Sequence, residues 1–366
     1  MAKAIATTTI KVPDALADYA LNAARHGHRD LVFIVVGDRK TPEEARRLCE
    51  RLEKRSHYEF EFMGLEEQRS YLGRFPELRD HLPYDSIQRR NIGLLRAYER
   101  GCDPIITIDD DNHVGDDDFI GRHSIVGNEQ SLEAISSASG WLNVCRFLEE
   151  ENGQLFYHRG FPPGARSPCA ERIESQERQG RVVVNAGLWL EDPDVDAVAR
   201  LACPVRVTSF PRGRSFALAP GTWSPFDSQN TALAREVLPA YFLSPRIGRY
   251  DDIWASYIVN AIAHHLGHLI AFGLPLVRQE RNPHDYWRDL DNERHGMMLT
   301  DRFTSELRAI QLTARSYPEG FRELHQRLGQ RLQEAMTLGQ EERQFLTGFL
   351  DGMDVWMRTM ERVDGG

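Results

Sequence analysis

The sequence predicts an α/β fold built on a mostly parallel, doubly wound sheet, and three runs carry that expectation. Leu31-Val-Phe-Ile-Val-Val36 is continuously apolar, as a strand covered on both faces must be, and Gly37-Asp38 closes it. Tyr58-Glu-Phe-Glu-Phe62 alternates apolar with polar, and Ile105-Ile-Thr-Ile108 is a short β-branched run. Helical segments separate the three, and strand–helix–strand order joins parallel strands by crossovers.

The elements follow in chain order. Leu16, Tyr19, Ala20 and Ala23 have helical spacing over Asp14 to His26, and Gly27 stops the helix. Thr41-Pro42-Glu43-Glu44 starts the next helix with a capping residue, proline at the first position and acids in the first turn, and the helix runs to about Arg55. A third helix, Ile87 to Arg100, leads into the strand at Ile105. The middle, Asn152 to Pro225, is rich in Gly, Pro and Arg, with strands expected at Arg181–Leu190 and Ser215–Ala219 between loops. Ile253–Leu266 has helical periodicity, and Leu269–Phe272 reads as a short strand. Beyond about Thr300 the chain becomes a helical C-terminal extension. Its stripe of Phe345, Leu346, Phe349, Leu350, Met353, Trp356, Met357 and Met360 is either core packing or an oligomer contact. The division expected is 1–298 and 299–366.

Composition sets outer limits. The 366 residues are 41% hydrophobic and 27% charged, ordinary for a soluble enzyme. A net charge of −10 opposes a general nucleic-acid role. Cys49, Cys102, Cys145, Cys169 and Cys203 are odd in number and lack C-x-x-C spacing, which suits reduced thiols in the cytoplasm. With no membrane-length apolar run and no signal-like block at the N-terminus, no membrane association is expected.

The chemistry concentrates in four places. The strand at Ile105 ends in Asp109-Asp110-Asp111, three adjacent carboxylates that repel one another unless something cationic neutralises them. Strand ends of open α/β sheets are where ligands bind, and oxygen donors of this kind suit Mg²⁺ or Mn²⁺. An EF-hand is excluded, because Val114 and Gly121 stand where its ligands should be. Gly248-Arg249-Tyr250-Asp251-Asp252 sets two carboxylates at a helix start, either as caps or as working groups. His158-Arg159-Gly160-Phe161-Pro162-Pro163-Gly164-Ala165-Arg166 flanks a Gly/Pro loop with two arginines, a common way to present guanidinium groups to phosphate. Pro83 to Gly93 puts Arg89 and Arg90 in a first helical turn, for phosphate or base contacts or as a solvated face. His264, His265 and His268 lack a completing ligand and read as helix C-terminal histidines.

Taken together, these segments resemble the reversibly glycosylated polypeptides, the plant UDP-arabinopyranose mutase family. The resemblance rests on Ile106-Thr-Ile-Asp-Asp-Asp111, Arg159-Gly-Phe-Pro162 with Arg166, Gly187-Leu-Trp-Leu-Glu-Asp-Pro-Asp194, Ile247-Gly-Arg-Tyr-Asp-Asp-Ile-Trp254, and His265-Leu-Gly267 through Gly273-Leu-Pro275, over roughly residues 85 to 285. Val36 to Pro42 departs from the plant pattern, which leaves UDP and GDP both open as the nucleotide. The resemblance implies a glycosyltransferase-A-like (Rossmann-like) domain over 1–298, with Mn²⁺ or Mg²⁺ on Asp109, Asp110 and Asp111. It implies a nucleotide sugar in the cleft, and Asp38, Arg89, Asp109, Asp110 and Arg249 are the residues expected to hold it. In such mutases the arginine matching Arg159 becomes glycosylated, and the one matching Arg166 is needed for activity.

The expected function is therefore interconversion of the pyranose and furanose forms of a UDP- or GDP-linked sugar. The alternatives are a metal-dependent glycosyltransferase with an external acceptor, and a non-catalytic nucleotide-sugar binder. Arginine is almost never deprotonated, its pKa being above about 12. Arg159 therefore needs a buried base beside it, and Asp251 and Asp252 are the candidates.

Overall fold

The sheet begins one strand earlier than expected. In the computed structural model, which describes residues 1–167, 171–280, 285–334 and 339–365, Lys3–Thr9 forms β1. Its alanines and three consecutive threonines give neither an apolar block nor clean alternation, so periodicity misses it. Even so, Ala4, Ile5 and Ala6 are completely buried. Next come α1 (Ala15–Arg25), β2 (Leu31–Gly37), α2 (Glu43–Arg55) and β3 (Glu59–Met63). Two short helices that periodicity also missed, α3 (Leu65–Leu72) and α4 (Pro76–His81), precede α5 (Arg90–Glu99) and β4 (Ile105–Ile108). Thr41 does not cap α2. Its hydroxyl donates to the Thr9 carbonyl at 2.6 Å and accepts the Asp38 N–H at 2.7 Å, tying together the ends of β1 and β2.

β1 pairs in parallel with both β2 and β4, and β2 in parallel with β3, so four strands deliver their carboxyl ends to one edge. The chain continues through β5 (Asn112–Val114), α6 (Phe119–His123), β6 (Glu129–Ser137), β7 (Glu149–Glu150) and the long β8 (Ile173–Glu191). Then follow α7 (Ala197–Ala202), β9 (Val207–Ser209), β10 (Phe216–Leu218), β11 (Asn230–Leu233), α8 (Asp251–Leu266) and β12 (Leu269–Gln279). The strand expected at 181–190 is the C-terminal half of β8, and the one expected at 269–272 extends to Gln279. β11 runs antiparallel between β4 and β8, and β12 is parallel to β8. The result is one mixed α/β sheet, parallel on its N-terminal side, in the glycosyltransferase-A-like arrangement.

Three helices complete the chain: α9 (Tyr286–Ala309), α10 (Tyr317–Glu334) and α11 (Gln340–Asp364). The junction between 298 and 299 lies inside α9. Of the α11 stripe, Leu346, Phe349, Met353, Trp356 and Met360 are buried within the chain, so the stripe is core packing. These helices wall in α8. Trp254 stacks on Phe303 with ring centroids 3.9 Å apart and meets Phe349 edge-on at 5.1 Å, while its Nε1 donates to Thr300 Oγ1 at 3.0 Å. Burying such aromatics contributes on the order of 2–3 kcal/mol each, which fixes the helix that carries Asp251 and Asp252.

Cys49, Cys102 and Cys145 are buried and, like Cys203, are free thiols, whereas Cys169 lies outside the described residues. His264 and His265 contact backbone carbonyls and His268 the Tyr317 hydroxyl, which makes them helix-end histidines and not a ligand set. No described helix is long and apolar enough to cross a membrane.

Candidate active site

β4 ends at Ile108, and the aspartate triplet forms the turn into β5. Asn112 shapes that turn: its Oδ1 accepts the Asp109 N–H at 2.9 Å, and its own N–H donates to the Asp109 carbonyl at 3.2 Å. From the other side the Glu280 N–H, at the end of β12, donates to the Asp111 carbonyl at 3.1 Å. Asp109 and Asp110 meet different partners. Asp109 receives the Arg90 guanidinium. Asp110 accepts the Thr9 hydroxyl at 2.6 Å and lies 3.9 Å from Lys11. Burial raises Asp110 above the usual carboxylate range, against the pull of Thr9 and Lys11.

Arg90 is the first link of a polar chain. It donates also to Ser228, whose N–H and hydroxyl both reach Asp252 Oδ2 at 3.1 Å. Asp252 in turn accepts Arg159, Nη1 at 3.1 Å and Nη2 at 3.2 Å. On its other edge Arg159 meets Asp194, with Nε 2.9 Å from Oδ1 and Nη2 2.9 Å from Oδ2, while Nη1 donates to the Arg249 carbonyl. All three nitrogens are thus committed to protein acceptors. Burial alone would lower the Arg159 pKa, but Asp194 and Asp252 outweigh it and hold the guanidinium above its ordinary value.

Two glycines make this geometry possible. Gly160 (φ +76°) packs so tightly that a Cβ there would lie 2.2 Å from Ile253 Cγ2. Gly248 (φ +54°) stands equally close to the Asn292 carbonyl, and its own carbonyl accepts Gln88 Nε2 at 3.0 Å. The same Gln88 amide donates to Asp251 Oδ2 at 2.9 Å. Asp251 is pushed up to about 7, first by burial and then by the neighbouring Asp252, against the pull of Arg159 and Gln88. Behind Arg159, atoms of His158, Asp194 and Asp227 lie within 4.8 Å of one another, a metal-like grouping. Its members are already engaged, Asp194 by Arg159, Asp227 by Trp189 and Gln229, and His158 Nδ1 by the Arg159 carbonyl. It is a buried support for the arginine loop.

A cavity of about 330 Å³ gathers Asp38, Arg89, Asp109, Asp110, Asp111, Arg159, Arg249, Asp251 and Asp252. Every site residue expected from sequence lines it except Arg166, which pairs with Asp196 at 2.6 Å beside the cavity. Asp38 accepts the N–H groups of Arg39 and Ser86 at 2.7 and 3.1 Å. Arg89 binds Gln68 through Nε at 2.7 Å and stacks on Tyr84. Arg249 Nε contacts Glu293 at 3.0 Å. Sequence reasoning missed Asp194, Ser228, Gln88 and Gln279, and placed Arg90 in a helical turn without its carboxylate partner. Arg90 and Gln88 stood in the 83–93 segment and Asp194 closed a quoted motif, but partner choice is invisible without the fold. Nothing in the sequence marked Gln279.

A model of the reversibly glycosylated polypeptide family matches residues 174–365, just over half of the chain. The chain belongs to the reversibly glycosylated polypeptide family. Its match reaches beyond the 85–285 motif region and takes in the C-terminal helices, which are therefore part of the family's pattern. Among curated relatives, "Probable UDP-arabinopyranose mutase 1" of Pisum sativum is 29% identical over 179 residues, 47% of this chain and 46% of that protein. "Probable UDP-arabinopyranose mutase 2" of Solanum tuberosum is 30% identical over 181 residues, 47% and 45% of the two chains. "UDP-arabinopyranose mutase 3" of Arabidopsis thaliana is 36% identical over 107 residues, 27% of this chain and 30% of that protein. The matches span about half, or less, of the relatives' length. Within this chain, Asp194, Arg249, Asp251 and Asp252 fall inside the family match, whereas the aspartate triplet and Arg159 precede it.

Proposed function

We propose that this protein is a nucleotide-sugar mutase that interconverts the pyranose and furanose forms of a UDP-linked sugar, with GDP as the other nucleotide to test. The observation that carries the reading is the placement of Arg159: buried, in the same cavity as the aspartate triplet, and between two carboxylates. The relatives' names supply the UDP-sugar class.

The cavity chemistry fits a divalent cation. Eight aspartates line it against four arginines, so an anionic diphosphate needs further positive charge to bind there. The side-chain oxygens of Gln279 and Gln229, both lining residues, are buried and accept no hydrogen bond from described residues. Asp110 and Asp111, with the Gln279 amide oxygen, would offer a bound Mg²⁺ or Mn²⁺ oxygen donors only. Asp109 is shared with Arg90. Such a cation supplies charge stabilisation for the departing nucleotide diphosphate.

The chain's own groups account for the rest. Exchange of the ring oxygen at C1 requires the sugar to leave the diphosphate and open. A nitrogen of Arg159 bonded to C1 has the lone pair to open the ring, which a carboxylate adduct lacks. Since the in-plane N–H groups of Arg159 are committed, the guanidinium face is what remains for C1. Forming the C1–N bond sends the C1–O pair to the diphosphate. Leaving a neutral glycosyl-guanidine releases two protons, and Asp252 and Asp194 are the two carboxylates placed to take them. The raised pKa of Arg159 means these transfers accompany bond formation and do not precede it.

The test is incubation of purified protein and Mg²⁺ or Mn²⁺ with UDP-arabinopyranose and no acceptor, followed by chromatography of the nucleotides. A furanose nucleotide is the expected product. Release of free UDP only when an acceptor is added would instead establish a glycosyltransferase.

A further inference from the structure

Ring interconversion moves a proton as well as a bond. In the opening step the guanidine lone pair forms C1=N, and the C1–O5 electron pair stays on O5, which takes up a proton. In the closing step the C4 hydroxyl oxygen bonds to C1, its proton leaves, and the electron pair returns to nitrogen. The two transfers cancel, so one group that alternates between acid and base serves both. Asp194 and Asp252 are occupied by the protons of Arg159, so a third group is required.

We propose that Asp251 is that group, a catalytic carboxyl that gives its proton to O5 and takes one back from O4, positioned by Gln88. The inference rests on the mutase reading. Asp251 lines the cavity and adjoins Asp252, yet no described ion pair holds it, unlike Asp109, Asp110, Asp194 and Asp252. Its contact is a neutral amide, Gln88 Nε2 at 2.9 Å. The charged and titratable groups facing it are Asp252 on its own helix, Arg159 from the arginine loop, Arg90 from α5, and Tyr241. Burial and Asp252 push its carboxyl up to about 7, so it carries a proton at or below neutral pH. An acid tuned near the working pH suits both directions of transfer.

The experiment follows two products of the full-length protein with its metal: sugar bound to the protein, by intact mass, and furanose nucleotide, by chromatography. Asp251→Asn is expected to bind UDP and form the sugar adduct like the wild type, but to make furanose about 100-fold more slowly or worse. In the wild type, furanose formation is expected to fall as pH rises through about 7, where Asp251 loses its proton. Gln88→Leu removes a donor that favours the ionised carboxyl, so that falling limb moves to higher pH; a purely structural role for Gln88 would lower the rate without moving it. The proposal is overturned if Asp251→Asn makes furanose within a few-fold of wild type. It is also overturned if that variant binds UDP normally but forms no adduct, or if the limb stays in place in Gln88→Leu. No furanose from the wild type would sink the mutase reading itself, and this inference with it.

Discussion

Two acidic clusters line the same cavity, and the contrast between them shows how position divides labour among identical side chains. Asp109, Asp110 and Asp111 sit on a turn at a strand end, with the Asp109 side chain a quarter exposed. Asp109 is met by Arg90, and Asp110 by Thr9 and Lys11, groups that stabilise charge. Asp251 and Asp252 open a helix and are each 5% exposed. The pair splits its duties: Asp252 binds Arg159, while the Asp251 side chain accepts the Gln88 amide and enters no ion pair among the described residues. A strand-end triplet of carboxylates suits a hard cation, whereas a buried pair in which one member enters no ion pair among the described residues suits a proton.

The most drastic way to break the comparison is to remove the arginine that Asp252 and Asp194 hold. Arg159→Ala is expected to abolish adduct formation and to lower ring interconversion by about 10⁴-fold or more, as loss of a covalent nucleophile does. Full retention of interconversion would remove the covalent mechanism. Next come the triplet variants. Asp110→Asn or Asp111→Asn is expected to weaken Mn²⁺ binding, read by calorimetry, and to lower turnover by about 10²–10³-fold. Chelation should reproduce that loss in the wild type and add nothing in the variants.

Gly248→Ala sharpens the comparison from the backbone. A Cβ at φ +54° and 2.2 Å from the Asn292 carbonyl forces the Arg249–Asp252 turn to move. The expected cost is about 1–3 kcal/mol in denaturant unfolding, with activity falling further than stability. The last test is of pH-dependent stability. The folded pKa of Asp251, about 7, lies above its unfolded value near 3.8. Folding therefore takes up a proton between these values, and the stability this group contributes at low pH is lost as pH rises through about 7. Asp251→Asn removes that dependence, so its melting temperature relative to wild type should climb from pH 4 to 7 and then level off. A constant difference across that range would place the Asp251 pKa near its ordinary value.

Much of the fold was legible because burial imposes patterns. The apolar run at 31–36, the alternation at 58–62 and the helix at 253–266 appeared where periodicity put them. β1 was missed because its threonines are buried by hydrogen bonding and position, which apolarity does not report. The site was legible in its acids and arginines, since such residues at strand ends and helix starts need partners. Which partner each takes was not. Arg159 was expected to rely on Asp251 or Asp252, and Asp252 is one of its partners, but Asp194, distant in sequence, supplies the other. Gln88 and Gln279 carry no charge and no periodic signature, so only the packed structure brings them into view.

The central claim is exchange of the oxygen bonded to C1 within one sugar, and isotope-resolved NMR tests it most directly. A UDP-pyranose carrying ¹³C at C1 and ¹⁸O in the ring is incubated with the protein and Mg²⁺, without acceptor. The expected result is a new furanose C1 signal that has lost the ¹⁸O-induced shift, because the label now sits on an open hydroxyl. A C1 signal that stays pyranose with its ring label intact, for UDP- and GDP-linked sugars alike, would contradict the mutase assignment.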